Sequence, residues 1–337
     1  MAKADPVRWG ILGAAGIASS AFLPALAEAG GGRPTIVGAR DGGRASRWAT
    51  VFGVDRGVEG YERVLADPEI EAVYVPLPNS LHAGWTIAAL EAGKAVFCEK
   101  PLCASVDETE RVLAVAAAAP RPLWEAFVFP FHEQTRRVRA LIGDEAIGEP
   151  REIWSRFHFD LDDPGDIRMS EALGGGATQD VGCYSIRLAR LLFGVEPVLG
   201  GATADAVWTT GVDEELWGTL PFGGDRRMQF SCGFRSTYDT FARVIGPAGE
   251  IRMTNPFHPG SDDTFELVSD GEVVEREPAA PNGERSFTSA IRHVHRVLRD
   301  EEEPAHLAVD EALGNATAIE AILAAARDEP VVRGPAR

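Results

Sequence analysis

Short apolar runs alternate with amphipathic stretches along the first third of the chain. The apolar runs, at residues 7–12, 35–39, 72–75 and 95–98, predict buried strands, and the stretches at 17–29, 44–52, 80–92 and 106–119 predict helices. Parallel strands need crossover helices of this kind between them. The alternation therefore predicts an α/β fold with a doubly wound parallel sheet and helices on both faces.

The pattern changes after about residue 124. Longer strand-like stretches, joined by Gly and Pro turns, occupy residues 152–159, 217–220, 227–234, 241–245 and 265–267, and helical patterns recur at 180–192, 286–298 and 309–326. This pattern predicts an α+β domain with a large, mostly antiparallel, open-faced sheet. Because 337 residues exceed what one core usually serves, we expect two domains, 1–124 and 125–337, with the helix near 309–326 a candidate to pack back on the first.

Both faces of the predicted strand 152–159 carry apolar area. Ile153 and Phe157 lie on one face, and Trp154 lies on the other. Helices of the same domain can cover one face. The other would expose more apolar surface than monomers usually do, so we expect this domain to serve oligomerisation as well as substrate binding.

Composition narrows the class of protein. The net charge of −18 and the pI near 4.8 argue against nucleic acid or an anionic membrane as a partner. No apolar run approaches the ~20 residues that span a bilayer, and no signal-peptide core precedes the first strand, so we expect a cytoplasmic protein. The cysteines lack metal-ligand spacing and are expected to be reduced thiols, with no metal site; they are Cys98, Cys103, Cys183 and Cys232.

A glycine turn follows the first predicted strand and opens the first predicted helix. It comprises Gly13, Ala14, Ala15, Gly16 and Ile17. Compared with the pattern G-x-G-x-x-G/A, Gly13 stands at the tight bend and Ala18 at the helix-packing position, while Ala15 replaces the second glycine. Backbone N–H groups at such a helix start bind a pyrophosphate. The turn therefore favours a dinucleotide-binding, Rossmann-type first domain over a plain structural turn.

The end of the second predicted strand bears on the choice of cofactor. A carboxylate there would bind the ribose 2′-hydroxyl of NAD, but the strand ends at Ala39, with Arg40 next and Arg44 one helical turn further on. Guanidinium groups bind phosphate bidentately, so the pair favours the 2′-phosphate of NADP, with NAD the less favoured cofactor. The alternative is that Arg40 pairs with Asp41 or another surface acid.

Polar residues follow the next two predicted strands. Leu77, Pro78, Asn79 and His82 come after strand 72–75, and Glu99 and Lys100 come after strand 95–98. Ser80 is expected to cap the helix that follows the first of these turns. Lys100 is one of three lysines against thirty arginines, and an ammonium, unlike a guanidinium, takes part in proton chemistry. Ligands bind beyond the carboxyl ends of such strands, so we expect a shared cleft.

These motifs resemble the glucose–fructose oxidoreductase and inositol dehydrogenase superfamily (Gfo/Idh/MocA) of NAD(P)-dependent enzymes. The resemblance rests on residues 13–18, 78–82, 92–101 and 174–184 and extends over nearly the whole chain. It implies that Glu99 contacts the nicotinamide ribose, that Lys100 lies beside the reacting substrate carbon, and that Asn79 and His82 line the cofactor. It also implies a homodimer or homotetramer formed through the C-terminal sheet.

We expect the second domain to contribute half of the site. Three glycines at 174–176 precede a helix that carries Asp180 and, four residues later on the same face, Tyr184. Three consecutive glycines cost backbone entropy, so we interpret them as a close approach to a ligand. Asp180 is either a catalytic and substrate-binding carboxylate or a structural group at the helix N-terminus. Tyr184, where many members have histidine, resembles the dihydrodiol and D-xylose dehydrogenase branch, and Arg168 is a candidate substrate contact.

The leading hypothesis is an NADP-dependent oxidoreductase that moves hydride between nicotinamide C4 and a carbinol or hemiacetal carbon of a sugar or cyclic diol. Lys100 would stabilise the alkoxide, and Tyr184, its pKa lowered by a neighbouring ammonium, would relay the proton. One alternative is a catalytically silent dinucleotide or sugar sensor or regulatory protein; another is an oxidoreductase that retains its cofactor and alternates two substrates. Pro130 and Glu133, where the family commonly has arginine and proline, leave the substrate open.

Overall fold

A computed structural model describes residues 5–328; residues 1–4 and 329–337, the outer ends of the two predicted domains, lie outside the described residues. The described strands are β1 (Val7–Leu12), β2 (Gly32–Ala39), β3 (Arg56–Glu59), β4 (Ala72–Val75), β5 (Ala95–Cys98), β6 (Leu123–Glu125), β7 (Glu152–Asp160), β8 (Thr203–Thr209), β9 (Val212–Pro221), β10 (Arg227–Gly233), β11 (Arg235–Gly246), β12 (Gly249–Met253), β13 (Thr264–Ser269) and β14 (Glu272–Pro278). The described α-helices are α1 (Leu23–Ala29), α2 (Gly42–Phe52), α3 (Glu62–Leu65), α4 (Asn79–Glu91), α5 (Val106–Ala118), α6 (Glu133–Gly143), α7 (Cys183–Phe193), α8 (Ser286–Leu298) and α9 (Ala308–Asp328). A π-helical segment precedes α1 (Ala18–Phe22), and another precedes α7 (Thr178–Gly182).

The chain forms two compact units whose limits differ from the predicted domains. The first unit runs to residue 132 and also takes residues 284–313, and the second comprises 133–283 and the chain from 314. The prediction placed the boundary at 124 and gave 284–313 to the second domain. The physical reason for the difference is α8, in which His295 accepts a 2.9 Å hydrogen bond from the indole N–H of Trp9, and Phe287 packs edge-on against Phe97.

The helix predicted near 309–326 is α9, and it belongs partly to each unit. Its first turns lie in the first unit, where Ala308 and Ala312 join the core around β4, β5 and α4. From residue 314 onward, its residues belong to the second unit, where Ile322 packs against the backbone of Gly218.

In the described part of the first unit, six strands pair in parallel in the order β3-β2-β1-β4-β5-β6. This is the doubly wound order of a Rossmann fold, which confirms the predicted fold class. Successive side chains point to opposite faces. Trp9, Ile11, Tyr74 and Phe97 join one core with α1, α2 and α8, and Leu12, Val73, Val75 and Val96 join another with α3, α4 and α5. The strand order reverses between β1 and β4, so the carboxyl ends of these two strands form the crevice where such folds bind ligands.

The second unit contains a larger sheet with the order β14-β13-β12-β11-β7-β10-β9-β8. Its neighbours pair antiparallel except β7 and β10, which are parallel, so the predicted mostly antiparallel sheet is confirmed. Helix α7 covers one face, where the hydroxyls of Ser155 and Ser185 lie 2.8 Å apart. The opposite face, which we call the open face, exposes Trp154 (39%) and Trp217 (43%).

Candidate functional site

The glycine turn lies at the carboxyl end of β1, beside the turn that follows β4. Gly13 has φ of +117°, and its N–H donates a 2.9 Å hydrogen bond to the carbonyl of Gly38. A Cβ at Gly13 would lie 3.0 Å from Leu77 Cδ2. Because L side chains rarely adopt this φ, and Leu77 fills the space, residue 13 has to be glycine.

The helix after this turn begins at Gly16 and passes through the π-helical segment into α1. A Cβ added at Gly16 would meet nothing within 4 Å, and Ile17 is 41% exposed. Ala14 is buried and Ala15 half-buried, so the alanine at the second glycine position fits without a clash. The first N–H groups of a helix lack partners within the helix, and here they adjoin open space, which suits a pyrophosphate.

The end of β2 carries the predicted arginine pair. Asp41 does not pair with Arg40; its carboxylate accepts a hydrogen bond from the backbone N–H of Arg44 and caps α2. The guanidinium of Arg44 donates to the carbonyl of Ala14, 3.1 Å away, within the glycine turn. Within residues 5–328, Arg40 is exposed and forms no salt bridge. Both arginines affect the pKa of Tyr61. Burial raises the pKa of its phenol, and the positive charges of Arg40 and Arg44 partly oppose that rise.

His82 joins the turns that follow β4 and β5. The ring is fully buried, with Nδ1 2.9 Å from the carbonyl oxygen of Pro101 and Nε2 2.7 Å from that of Leu77. Burial lowers the pKa of His82, and the positive charge of Lys100 lowers it further. The hydrogen bonds to the two carbonyl groups oppose this lowering. His82 therefore fixes the spacing between the two turns.

The neighbouring residues of that turn differ from one sequence expectation. Asn79 is the first residue of α4 and is half-buried, and Pro78 takes the cap position. The prediction that Ser80 caps this helix is therefore wrong, because Ser80 is the second residue of the helix. Proline at this point has the fixed φ that suits the residue before a helix, although it offers no side-chain hydrogen bond.

Glu99 and Lys100 follow β5 directly. The carboxylate of Glu99 is buried and accepts hydrogen bonds from the hydroxyl of Tyr74 (2.5 Å) and from the backbone N–H of Lys100 (3.3 Å). Lys100 is half-buried and is joined to Pro101 by a cis peptide bond. By contrast, the ammonium of Lys94 donates to the carbonyls of Asp67 and Ile70 at 2.7 and 2.9 Å, which is a structural role. The glycine turn, His82, Glu99 and Lys100 therefore meet at the carboxyl edge of the parallel sheet.

In the second unit, the three glycines are required by the protein itself. Gly174 and Gly176 have φ of +74° and +115°. A Cβ at Gly175 would lie 2.2 Å from the carbonyl oxygen of Arg168, and one at Gly176 would lie 2.3 Å from the carboxylate of Asp213. Contacts inside the unit thus account for the glycines, and our interpretation of them as a sign of ligand approach is unnecessary.

Asp213 supports the π-helical segment that carries Asp180. Its Oδ2 accepts hydrogen bonds from the N–H (2.7 Å) and the hydroxyl (2.6 Å) of Thr178. Burial raises the pKa of Asp213 to about 6, against the lowering effect of these two bonds. A carboxylate at a helix start is favoured because the first N–H groups have no partner within the helix. Asp213 therefore anchors the start of the helix.

Asp180 and Arg168 form an ion pair. The Nε atom of Arg168 lies 2.7 Å from Asp180 Oδ2, and its Nη1 lies 3.2 Å from Asp166 Oδ1. The carboxylate of Asp180 is the main reason that the pKa of Arg168 is raised. The predicted substrate contact Arg168 is thus positioned by two carboxylates next to the predicted catalytic Asp180.

Tyr184 is 5% exposed and lies among aromatic rings. Its ring centroid is 5.5 Å from that of Phe157 and 5.3 Å from those of Phe257 and His258. The hydroxyl lies 3.2 Å from Nε2 of His258. The structure therefore brings a histidine, which the sequence interpretation did not single out, within hydrogen-bond distance of the predicted proton relay.

Other sequence expectations concern the thiols and the departures from the family pattern. Burial raises the pKa of Cys98, Cys232 and Cys103, the last to about 12. Pro130 is buried in a 3₁₀ turn, and Glu133 begins α6, where its carboxylate lies 3.3 Å from the guanidinium of Arg136. Within residues 5–328, no three His, Cys, Asp or Glu side chains group as metal ligands, and no helix is long and apolar enough to cross a bilayer.

Comparisons with known proteins agree with this architecture. Residues 7–127 match the model of an oxidoreductase family with an NAD-binding Rossmann fold, and residues 135–252 match the GFO/IDH/MocA C-terminal domain. The chain is 32% identical to the dTDP-3,4-didehydro-2,6-dideoxy-alpha-D-glucose 3-reductase of Actinomadura kijaniata, over 97% of this chain and 98% of the relative. It is 36% identical to the D-xylose 1-dehydrogenase (NADP(+)) 2 of Haloferax volcanii, over 79% of this chain and 82% of the relative.

A solved structure matches both units. The crystal structure of KijD10, a 3-ketoreductase from Actinomadura kijaniata in complex with NADP and TDP-benzene, is similar with a TM-score of 0.85 at 32% identity. The match covers 95% of this chain and 97% of that one. With two domain models and a relative that matches nearly end to end, the chain belongs to the Gfo/Idh/MocA family of oxidoreductases.

Proposed function

We propose that this chain is an NADP-dependent oxidoreductase that transfers hydride between nicotinamide C4 and a carbinol or hemiacetal carbon of a sugar or cyclic diol. The observation that carries the proposal is the position of Lys100. It follows β5 at the carboxyl edge of a doubly wound sheet, and its backbone is held by the buried carboxylate of Glu99. This edge is where such sheets bind their ligands.

The first unit fits the proposed cofactor. Gly13 and Gly16 leave the helix N-terminus open to a pyrophosphate. Arg40 has no ion-pair partner within residues 5–328, and Arg44 lies over the glycine turn, which supports both arginines as ligands of a 2′-phosphate. NADP also appears in the names of the KijD10 complex and of the Haloferax volcanii enzyme, which supports NADP over NAD.

When bound, the nicotinamide supplies the hydride acceptor. We assign Lys100 to stabilise the negative charge that develops on the substrate oxygen as hydride leaves the carbon. We assign Tyr184 as the relay that accepts the hydroxyl proton as it passes on its own phenol proton, and its burial among aromatic rings keeps the phenol away from competing water. Asp180 and Arg168 bind and orient the substrate hydroxyls as a charged pair. We assign Asn79 and His82 to the cofactor side, where His82 keeps the two turns in register.

The relatives support a sugar as the substrate, since they are named for a dTDP-linked keto sugar and for D-xylose. The test is a panel of aldoses, cyclic diols and dTDP-linked sugars with NADP and NAD in both directions, followed by nicotinamide absorbance. We expect turnover with at least one member, faster with NADP. Tyr184→Phe should bind the cofactor normally and lose most of this turnover. Cofactor binding without turnover on the whole panel would favour a sensor.

A further inference from the structure

His258 stands beside the proposed proton relay of the second unit. It lies in the loop between β12 and β13, and its Nε2 is 3.2 Å from the hydroxyl oxygen of Tyr184. The two rings meet edge to face, with centroids 5.3 Å apart and planes at 74°. This distance and this geometry allow a hydrogen bond between the phenol and the imidazole.

The loop holds His258 in place through its backbone. The side-chain amide of Asn255 donates to the carbonyl of His258 at 2.8 Å, and its Oδ1 accepts from the N–H of His258 at 3.0 Å. Asn255 is itself buried, and its own carbonyl accepts a 2.9 Å hydrogen bond from Gln134 in α6. The backbone that carries the imidazole is thus held by the fold before any ligand binds, as a group with a positioned role requires.

The environment of the pair differs on its two sides. Tyr184 is buried, and Phe157 and Phe257, which stack at 5.4 Å, pack against its ring. His258 is only half-buried. The phenol therefore lacks broad access to water, while the imidazole next to it has access.

We propose that His258 is the second member of the proton relay, a positioning residue that acts through Tyr184. The proposal rests on the proposed function. In the oxidation direction, the carbinol C–H bond breaks and its electron pair leaves as hydride to the nicotinamide. The substrate O–H proton passes to the oxygen of Tyr184, the phenol O–H proton passes to Nε2 of His258, and the imidazolium releases it to solvent. The carbinol becomes a carbonyl, the cofactor is reduced, and Tyr184 ends as a neutral phenol.

Acid–base chemistry gives the reason for a second group. A phenol ordinarily titrates near ~10 and an imidazole near ~6.5. At neutral pH the phenol is therefore already protonated, whereas a neutral imidazole can accept a proton and release it to solvent. For Nε2 to accept, the neutral ring must carry its proton on Nδ1. The carboxylate of Asp180 pairs with Arg168, and Nε2 of His258 lies within hydrogen-bond distance of the Tyr184 hydroxyl, so the geometry offers His258 as an acceptor.

The kinetic test compares variants that separate proton transfer from packing. His258→Gln retains hydrogen bonding but cannot carry the proton, and His258→Phe retains ring packing without nitrogen. The matched control is His306→Gln, which replaces a half-buried histidine of the first unit. This variant should have normal turnover. On the best substrate, we expect both His258 variants to lose about 10- to 100-fold in kcat, with KM and NADP affinity within about 2-fold and one ionisation missing from the pH profile. Unchanged kcat in a folded variant would overturn the proposal.

A second readout needs neither substrate nor cofactor. The chain has four tyrosines, so the phenolate absorbance of Tyr184 is obtainable as the difference between wild type and Tyr184→Phe. If the two groups share a hydrogen bond, His258→Gln shifts the titration of Tyr184, and Tyr184→Phe shifts the imidazole titration of His258, which NMR follows. A loss of kcat without a shift in either titration would show that His258 has only a structural role and would overturn the relay. If both titrations shift but the protein is inactive on every substrate, the proposed function is rejected, while the coupling between Tyr184 and His258 is retained.

Discussion

The buried hydrogen bond between Trp9 and His295 makes a sharp prediction about acid stability. An indole N–H only donates, so Nε2 of His295 is the acceptor at 2.9 Å, and Nδ1 carries the proton that it donates to the carbonyl of Gly30, also at 2.9 Å. The folded protein therefore needs the neutral ring. Burial lowers the pKa of His295 to about 4.

The magnitude follows from the difference between the folded and unfolded pKa values. An unfolded histidine titrates near ~6.5, so the unfolded state binds the proton first and folding stability falls as the pH drops from about 6.5 to about 4. The loss is about 2 kcal/mol at pH ~5 and about 3 kcal/mol below pH ~4. Above pH ~6.5 this contribution is fully present.

The assay measures urea unfolding of wild type and His295→Gln at about pH 7.5 and about pH 5, followed by tryptophan fluorescence. The stability advantage of the wild type should shrink by about 2 kcal/mol at the lower pH, because the variant has no ring to protonate at that position. Trp9→Phe, which removes the donor to Nε2, should raise the pKa of His295 in an NMR titration. A ring that titrates near ~6.5 in the folded protein, or a difference in stability that does not change with pH, would refute the reasoning.

Three further predictions use the same structure. Arg40→Ala should weaken NADP binding by about 1–3 kcal/mol and leave NAD binding nearly unchanged, as measured by titration with both cofactors; equal losses would make Arg40 structural. Burial raises the pKa of Asp213 to about 6, so the wild type should lose about 2 kcal/mol of stability relative to Asp213→Asn, measured by urea unfolding, as the pH rises from about 4 to about 6; a constant difference would contradict the shift. Trp154, exposed on the open face, should help to form a homo-oligomer, so light scattering should give at least twice 36.1 kDa for the wild type and a smaller mass for Trp154→Glu; a wild-type monomer would refute it.

The Rossmann half of the fold was predictable because its central strands are fully buried. β1, β4 and β5 have the predicted bounds, and their residues are almost all apolar. The edge strand β3 (Arg56–Glu59) was missed because it contains few apolar side chains and no buried residue, which hides the strand pattern. The outer strand β14 was missed for the same reason.

The assignment of α8 to the first unit could not be predicted from local pattern. Its bounds were predicted correctly, but its place depends on contacts such as that between Trp9 and His295, which are 286 residues apart in sequence. Nothing in the periodicity of a helix says which of two sheets it covers. Membership of the Gfo/Idh/MocA family, by contrast, is confirmed, because its motifs lie in short continuous segments.

The candidate site was predictable only where it follows a strand end or a glycine turn. Lys100 and Glu99 stand directly after an apolar run, so their place at the sheet edge could be inferred. His258 and Asp213 could not be found in this way, because they act on residues 74 and 35 positions away. The only sequence signal for His258 is the tight Asn255-Pro-Phe-His258 segment, which resembles many ordinary turns.

The central claim is that Lys100 stabilises charge during hydride transfer, and it is tested most directly by Lys100→Met. NADP affinity and turnover on the best substrate should be measured for wild type, Lys100→Met and Lys100→Arg. We predict NADP affinity within a few-fold of wild type for both variants, about a thousand-fold lower kcat for the methionine variant, and partial recovery with arginine, which keeps the charge but not the compact ammonium. Normal turnover of a folded Lys100→Met protein would contradict the account.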